Sequence, residues 1–194
     1  LPEKFVLKGA HGSGWNLIVT DKSKVNWFIW KKIMRSWMKQ NLYYYGREWN
    51  YEPQKPRIIV EKYLEDDSGE FLGSCITDYK FFCFNGEPQF IQIDENRFSN
   101  HKRIYLDCSG KVLEMSDSHQ HEGQSIGVEF GEIHKTMIQL ARVLSKDFPQ
   151  VRVDFYDCNG KIYFGELTFF DGSGFYNFNP DSWDAYWGEK LKLP

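Results

Sequence analysis

The first part of the chain alternates short apolar runs with turn residues. Residues 5–8 and 17–20 predict two strands that flank a glycine-rich loop, so the loop is expected to close a hairpin. Apolar residues at helical spacing then predict a helix over residues 24–39, which Asp21 or Ser23 would cap. The residues expected on one face of this helix are Trp30, Ile33, Met34, Trp37 and Asn41.

Further along the chain, strand patterns dominate, with one clear helix among them. The predicted strands cover residues 57–64, 78–84, 89–94, 103–108 and 111–115. Residues 130–147 predict an amphipathic helix. Its expected core face consists of Ile133, Met137, Leu140, Ala141 and Leu144. Antiparallel strands mixed with two amphipathic helices indicate the α+β class.

Residues 151–170 (VRVDFYDCNGKIYFGELTFF) carry the most informative pattern. Two strands flank a turn at Asn159-Gly160, and their register decides which side chains share a face. A two-residue turn would place Asp154 and Glu166 on opposite faces of the hairpin. A three-residue loop over residues 158–160 would place them on the same face.

We predict the three-residue loop, because it also leaves an apolar face that can pack on a helix. Arg152 then lies opposite Glu166, and Asp154 lies opposite Phe164. The polar face carries Arg152, Asp154, Glu166 and Thr168. Two carboxylates and a hydroxyl suit Mg²⁺ when phosphates and waters complete its coordination. The alternative is a surface ion pair between Arg152 and Glu166, worth less than about 1 kcal/mol.

Composition and charge narrow the classes of function. The 194 residues are 41% hydrophobic, which suffices for a sizeable core, and the net charge of −3 gives no indication of a nucleic-acid partner. The four cysteines show no CxxC spacing, which is typical of reduced thiols in a cytoplasmic protein. The sequence contains no apolar run that could span a membrane. It opens abruptly at Leu1-Pro2-Glu3, so we expect further residues upstream.

Three other segments are candidates for nucleotide contacts. The loop KGAHGSG begins at Lys8 and offers flexible backbone N–H groups that can surround phosphates, although a mobile turn has the same composition. Backbone groups of residues 61–64 suit an adenine edge, or form a plain strand end. Asp78 and Lys80 share a strand face and suit a ribose or phosphate, or form an exposed pair.

The order of these segments resembles the ATP-grasp superfamily, and more closely the TupA-like ATP-grasp family associated with teichuronopeptide biosynthesis. The matching segments are FVLKGAHGSGWN, RIIVEKYL, DYKFFCFNG, residues 94–97, LSKDFPQVRVDFY and KIYFGELTFF. The resemblance implies an ATP-grasp fold of antiparallel sheets with packed helices, lacking the usual N-terminal domain. A glycine-rich-loop subdomain would cover residues 1–75, and a metal- and substrate-binding subdomain residues 76–194.

The resemblance also implies roles for individual residues. Those expected to contact ATP are Lys8, Gly12, Ser13, Gly14, Glu61, Tyr63, Leu64, Asp78 and Lys80. Those expected to hold Mg²⁺ are Asp154, Glu166 and Thr168, where Thr168 replaces the superfamily's usual Asn. Arg97 and Arg152 would stabilise the charge of the transferred phosphoryl group. The segment Gly172-Ser173-Gly174 is a candidate rim for the acyl acceptor.

The activity implied by the resemblance is that of an ATP-dependent carboxylate–amine ligase that forms an amide through an acyl phosphate. Its carboxylate and amine substrates would be a polysaccharide or an amino acid, in the biosynthesis of cell-surface polysaccharide or teichuronopeptide. One alternative is a glycosyltransferase-like enzyme that modifies polysaccharide. Another is a catalytically idle ATP-grasp-like binding module, whose surplus aromatic residues would stack on sugars.

Overall fold

The computed structural model describes residues 1–65, 77–95, 101–117 and 129–193. The chain divides into two compact units, Leu1–Leu64 and Glu65–Pro194, which we call the N-terminal and C-terminal units. The predicted subdomain boundary after residue 75 falls on residues outside the described part of the chain, so it stays a prediction.

The N-terminal unit is a three-stranded antiparallel sheet with one long helix. Its elements are β1 (Phe5–Gly9), β2 (Asn16–Val19), α1 (Trp27–Trp37), α2 (Tyr43–Gly46) and β3 (Ile58–Lys62), with short 3-10 helices at Lys22–Lys24 and Trp49–Tyr51. The strand order is β2-β1-β3. Phe5, Leu7 and Val19 are buried and form a core with side chains of α1. Because side chains alternate along β1, Lys8 lies on the opposite face of the sheet.

Helix α1 begins later than predicted. Asn26 caps it, since the Asn26 side chain accepts a hydrogen bond from the backbone N–H of Ile29 at 3.2 Å. Neither predicted cap, Asp21 or Ser23, begins α1. Asp21 instead caps the short 3-10 helix by accepting from the N–H of Ser23 at 2.9 Å. The predicted inner face is confirmed, with Trp37 buried and its companions half-buried.

The C-terminal unit is built on a five-stranded antiparallel sheet. Its elements are β4 (Thr77–Phe84), β5 (Glu87–Glu95), β6 (Lys102–Asp107), β7 (Ser116–Asp117), α3 (Glu132–Ser145), β8 (Gln150–Cys158), β9 (Lys161–Thr168), β10 (Phe178–Asn179) and α4 (Ser182–Lys190), with a 3-10 helix at Asp171–Gly174. The large sheet has the order β6-β5-β4-β8-β9, and β7 pairs with β10. The predicted strand over residues 111–115 is reduced to a bridge between Leu106 and Val112.

One face of the large sheet packs on α3 and forms the main core. Helix α3 confirms the prediction over 130–147, but its buried face is rotated from the expected one. Leu140 and Leu144 are 39% and 36% exposed, whereas His134, Ile138 and Ser145 are buried. Apolar spacing alone could not show this rotation, because two of the newly buried side chains are polar.

Burial of His134 predicts a pH-dependent stability. Its ring lies 5.0 Å from that of Phe130 and 5.1 Å from that of Tyr79, measured between centroids. Its Nε2 has no hydrogen-bond partner in the described part of the chain. Burial lowers the pKa of His134 from its ordinary value of 6.5. Since the unfolded chain then binds more protons, the free energy of unfolding should fall as the pH drops below about 6.5.

Urea unfolding at pH 7.5 and pH 5.5 tests this expectation. The wild type should lose more stability between the two pH values than His134→Phe, which has no titrating ring at this position. Equal losses in the two proteins would show that other groups cause the pH dependence.

Candidate functional site

Polar side chains cover one half of the other face of the large sheet. In the strand register, Lys80 lies opposite Asp154 on β8 and Gln92 on β5, while Asp78 lies opposite Asp94. Residues directly opposite each other share a face, so these five side chains form one polar surface. All five are buried, which is unusual for charged residues unless they are paired.

Lys80 and Asp154 form the centre of this surface. Lys80 Nζ donates to Asp78 and, at 3.2 Å, to Asp154 Oδ2. Arg152 Nε donates to Asp154 Oδ1 at 2.7 Å, and Arg152 Nη2 donates to Asp154 Oδ2 at 2.8 Å. Asp154 therefore holds a lysine and an arginine side by side, in a geometry fixed by bidentate bonds.

Arg152 is held from several directions at once. Its Nη1 donates to Asp171, and its Nη2 donates to Thr168 Oγ1 at 3.0 Å and lies 3.6 Å from Glu166 Oε1. Burial opposes the charge of Arg152, but the neighbouring carboxylates of Asp154, Asp171 and Glu166 outweigh it and raise the pKa of the guanidinium. The guanidinium is therefore a fixed, permanently charged group on this face.

The hairpin of β8 and β9 has the predicted arrangement of side chains but not the predicted turn. Asn159 and Gly160 both have positive φ, 55° and 72°, and Cys158 pairs with Lys161, so the turn has two residues. The predicted three-residue loop is wrong. An irregularity after Asp154 shifts the register by one residue, so that Asp154 lies opposite Glu166.

Gly165 is the extra residue of this β-bulge. A Cβ there would lie 3.0 Å from the Tyr156 ring and 3.1 Å from Asp154 O, so the bulge favours glycine. Arg152 lies opposite Thr168, not Glu166, and Phe164 lies opposite Phe155, not Asp154. The prediction that Arg152, Asp154, Glu166 and Thr168 share a face is nevertheless confirmed.

A second buried network adjoins the first and was not predicted. Asp94 accepts from Arg103 Nε at 2.6 Å and from Gln92 Nε2 at 2.7 Å. Arg103 also donates to Asp117 and, at 3.0 Å, to Tyr176 Oη. Burial raises the pKa of Asp94, but Arg103, helped by Lys80 and Gln92, outweighs it and lowers that pKa to about 2.

The two networks also hold both ends of the Gly172-Ser173-Gly174 segment. Asp171, just before it, accepts from Arg152, and Tyr176, just after it, accepts from Arg103. The backbone at Ser173 is left-handed, with φ of 57°, which is uncommon for a residue other than glycine. The segment therefore lies beside the polar surface, and its role as the rim of a substrate site stays a prediction.

The N-terminal unit places its candidate residues on one sheet and one loop. Lys8 Nζ lies 2.6 Å from Glu61 Oε2, so these two predicted residues form an ion pair. Ser13 and Gly14 are exposed in the loop between β1 and β2. Tyr63 is buried and Leu64 is half-buried at the end of β3. The predicted residue Arg97 lies outside the described part of the chain.

The residues predicted to hold Mg²⁺ carry the oxygen ligands and the negative charge that a divalent cation prefers. The described residues contain no group of three or more His, Cys, Asp or Glu side chains that could hold a metal. Asp154, Glu166 and Thr168 would supply two carboxylates and a hydroxyl, leaving the other positions to phosphate and water. The ion-paired cluster contains four carboxylates and two cations, Lys80 and Arg152, and hence a formal charge of −2.

These features define the class of the protein. A lysine before a glycine-rich hairpin loop, an antiparallel sheet with a buried Asp-x-Lys strand, and an Arg-x-Asp hairpin that carries Glu on the same face are the predicted elements of the ATP-grasp fold. The chain belongs to the TupA-like ATP-grasp family, because the sequence model of that family, described as TupA-like ATPgrasp, matches residues 1–192. The predicted family and fold are thereby confirmed.

A search of curated proteins found no match to this chain. Within the described ranges, each helix is too short or too polar to cross a membrane. Proteins with the ATP-grasp fold generally bind ATP and Mg²⁺ and act as ATP-dependent ligases. Membership of the family therefore supports a ligase-type, ATP-dependent activity without specifying the substrates.

Proposed function

We propose that this protein is an ATP-dependent ligase that joins a carboxylate to an amine through an acyl phosphate. The observation that carries the proposal is the fixed row of Lys80, Asp154 and Arg152 beside the carboxylate of Glu166. Phosphoryl transfer needs positive charge at defined positions near the transferred group, together with ligands for Mg²⁺. This row offers both, and the family supports the same general activity.

The proposed reaction has two steps. A carboxylate oxygen of the first substrate attacks the γ-phosphorus of ATP, and the bond to the β,γ-bridging oxygen breaks, which gives an acyl phosphate and ADP. The amine of the second substrate then attacks the acyl carbon, phosphate leaves, and an amide forms with loss of a proton from nitrogen. Both steps depend mainly on positioning and charge stabilisation, so no protein nucleophile is required.

The proposal gives each candidate residue a role. Lys8 and the N–H groups of the Gly12, Ser13 and Gly14 loop would bind phosphates, and Glu61 would lie near the adenine. Asp154, Glu166 and Thr168 would hold Mg²⁺, which when bound neutralises phosphate charge and orients the phosphate oxygens.

Lys80 and Arg152 would stabilise the charge of the transferred phosphoryl group, with Arg97 as a further candidate. Asp154 and Asp171 fix the Arg152 guanidinium before any ligand arrives. Its donors therefore need little reorganisation during the reaction, which is the condition for effective electrostatic stabilisation.

The substrates we propose are a carboxylate and an amine carried by a polysaccharide or an amino acid. A cytoplasmic location would give the enzyme access to ATP. Glutamate and uronic acids are suitable carboxylates for the first screen, because each presents the group that ATP would activate.

The first test is calorimetry of ATP with and without Mg²⁺ on the wild type, Asp154→Asn and Glu166→Gln. We expect Mg²⁺ to increase ATP affinity in the wild type, and the increase to shrink at least about tenfold in each variant, since one metal ligand is weakened. Glu87→Gln is a matched control, because Glu87 is an exposed carboxylate on β5 of the same sheet. It pairs with Arg142 of α3. Wild-type protein that binds no ATP would overturn the proposal.

A second candidate function is a sugar-binding module without turnover. Tyr44, Tyr45 and Trp49 are 70%, 71% and 65% exposed and lie within six residues of one another. Exposed aromatic rings can stack on the apolar faces of sugars, and Tyr44 and Trp49 both contact the ring of Tyr43. ATP binding without ADP release, combined with oligosaccharide binding that Trp49→Ala abolishes, would favour this function over the ligase.

A further inference from the structure

The glycine-rich loop of the N-terminal unit contains a buried histidine. His11 is 2% exposed, although Ser13 and Gly14, two and three residues later, are exposed. Burying an imidazole costs free energy unless its nitrogens are hydrogen-bonded. The position of His11 therefore needs an explanation beyond loop flexibility.

Both ring nitrogens of His11 bind backbone groups from other segments. Nε2 lies 2.9 Å from the carbonyl oxygen of Trp37, the last residue of α1, and donates to it because a carbonyl only accepts. Nδ1 accepts from the backbone N–H of Arg57 at 3.1 Å. Nε2 therefore carries a proton, and Nδ1 faces both polar backbone groups of Arg57, whose carbonyl oxygen lies 3.2 Å away.

The next loop residue is held by an aromatic side chain. The Trp15 ring lies edge-on to His11, with centroids 5.0 Å apart, and stacks on Trp37 with an interplanar angle of 6°. A Cβ at Gly12 would overlap the Trp15 ring. Gly12 therefore lies against Trp15, and the exposed part of the loop begins at Ser13.

Four hydrogen bonds, all within the N-terminal unit, thus hold the loop. His11 ties it to the end of α1 and to the segment that enters β3, and Ala10 N–H donates to Arg57 O at 2.9 Å. Gly9 N–H donates to Trp15 O at 2.8 Å and closes the hairpin. These bonds hold the residues on both sides of the segment 12–14.

We propose that His11 is a positioning residue for nucleotide binding, which holds the N–H groups of Gly12, Ser13 and Gly14 in place for the phosphates of ATP. The inference rests on the proposed function and adds to it a residue for which the sequence indicated no role. A loop that is already ordered loses less conformational freedom when phosphate binds. Removing His11 should therefore weaken ATP binding, while leaving the residues that contact ATP unchanged.

The experiment compares His11→Ala with Asn41→Ala as a matched control. Asn41 also binds backbone groups of the N-terminal unit. It donates to Tyr51 O at 3.1 Å and accepts from Tyr43 N–H at 2.9 Å. Among the described residues, none of its hydrogen bonds is to the glycine-rich loop. Both variants remove buried or half-buried side-chain bonds, so both should lower the stability of the unit. Only His11→Ala should change the loop.

Two measurements are made on each protein. Calorimetry gives the Kd for ATP in the presence of Mg²⁺, and hydrogen exchange gives the protection of the amides of residues 12–16. We expect His11→Ala to raise the Kd about tenfold or more and to accelerate exchange in the loop. We expect Asn41→Ala to keep the wild-type Kd within about twofold.

Conservative variants separate the two bonds of His11. His11→Gln can still reach Trp37 O, and His11→Asn can still accept from Arg57 N–H, so each should recover part of the lost affinity. A merely structural histidine would give no such recovery in Kd at matched stability.

The outcomes distinguish this inference from the proposed function. If the wild type binds ATP but His11→Ala and Asn41→Ala have the same Kd, the role of His11 is wrong and the proposed function stands. If the wild type binds no ATP, both are wrong.

Discussion

Replacing Arg103 by Met should lower the free energy of unfolding of the C-terminal unit by about 3–5 kcal/mol at pH 7. Arg103 is buried and donates to Asp94 and Asp117, both of which are also buried. Met fills a similar volume but leaves two carboxylates without their guanidinium. An unpaired buried charge is one of the few single changes with an effect this large.

The pH dependence of the Arg103→Met effect separates loss of charge pairing from loss of packing. In the wild type, the pKa of Asp94 is about 2, below its ordinary value of 3.8, so Asp94 contributes stability above about pH 4 that is lost as the pH falls towards 2. Without Arg103 this contribution disappears. The difference between wild type and variant should therefore shrink between pH 4 and pH 2.

Urea unfolding monitored by circular dichroism measures the effect. Arg142→Met is the control, because Arg142 of α3 is only half-buried and forms a surface ion pair with Glu87 at 2.8 Å, whose loss should cost less than about 1 kcal/mol. If the two variants are equally stable, the Arg103 network does not support the fold as we infer.

Replacing Arg152 by Lys should reduce Mg²⁺-dependent ADP release by about 10²–10³-fold. Lysine keeps the positive charge but cannot bind Asp154 through two nitrogens while also reaching Asp171 and Thr168. The charge would remain near the transferred phosphoryl group, but its position would no longer be fixed.

The measurement is a coupled assay of ADP release, with a carboxylate and amine pair that the wild type converts. Arg142→Lys, the same substitution on the surface of the same unit, should retain wild-type activity. Activity of Arg152→Lys within about threefold of wild type would limit Arg152 to a structural ion pair.

The fold was predictable where the pattern is local. Alternation along β4, β5 and β8 and helical spacing along α3 specify these elements without reference to the rest of the chain. The buried face of α3 was predicted only in part, because His134 and Ser145 are polar and a search for apolar residues omits them. Their burial depends on which residues the sheet places beneath them.

The candidate site was likewise predictable only where its residues are close together in the sequence. Arg152, Asp154, Glu166 and Thr168 belong to one hairpin, so a correct choice of face was enough to place them together. Asp94 and Arg103 come from β5 and β6, and they join the surface only because β5 lies beside β4 and β6 lies beside β5. Alternation shows which residues share a face of one strand, but it gives no information about the order of strands.

The glycines of the loop show a further limit of sequence patterns. Their number suggested flexibility for phosphate binding, whereas the structure gives Gly12 an additional reason, the close approach of the Trp15 ring. A glycine selected by packing cannot be told from one selected for a ligand until its neighbours in space are known.

The bulge at Gly165 sets a counting rule for this hairpin. Eleven residues, 155–165, separate Asp154 from Glu166, so the two share a face only if the residues of the turn and the bulged residues together make an odd number. Here a two-residue turn and one bulged residue satisfy the rule, and a three-residue loop without a bulge would satisfy it equally. With the same eleven residues between them, a two-residue turn without the bulge would place Glu166 on the opposite face from Asp154 and Arg152. The bulge, and not the turn, therefore brings the two carboxylates together in this chain.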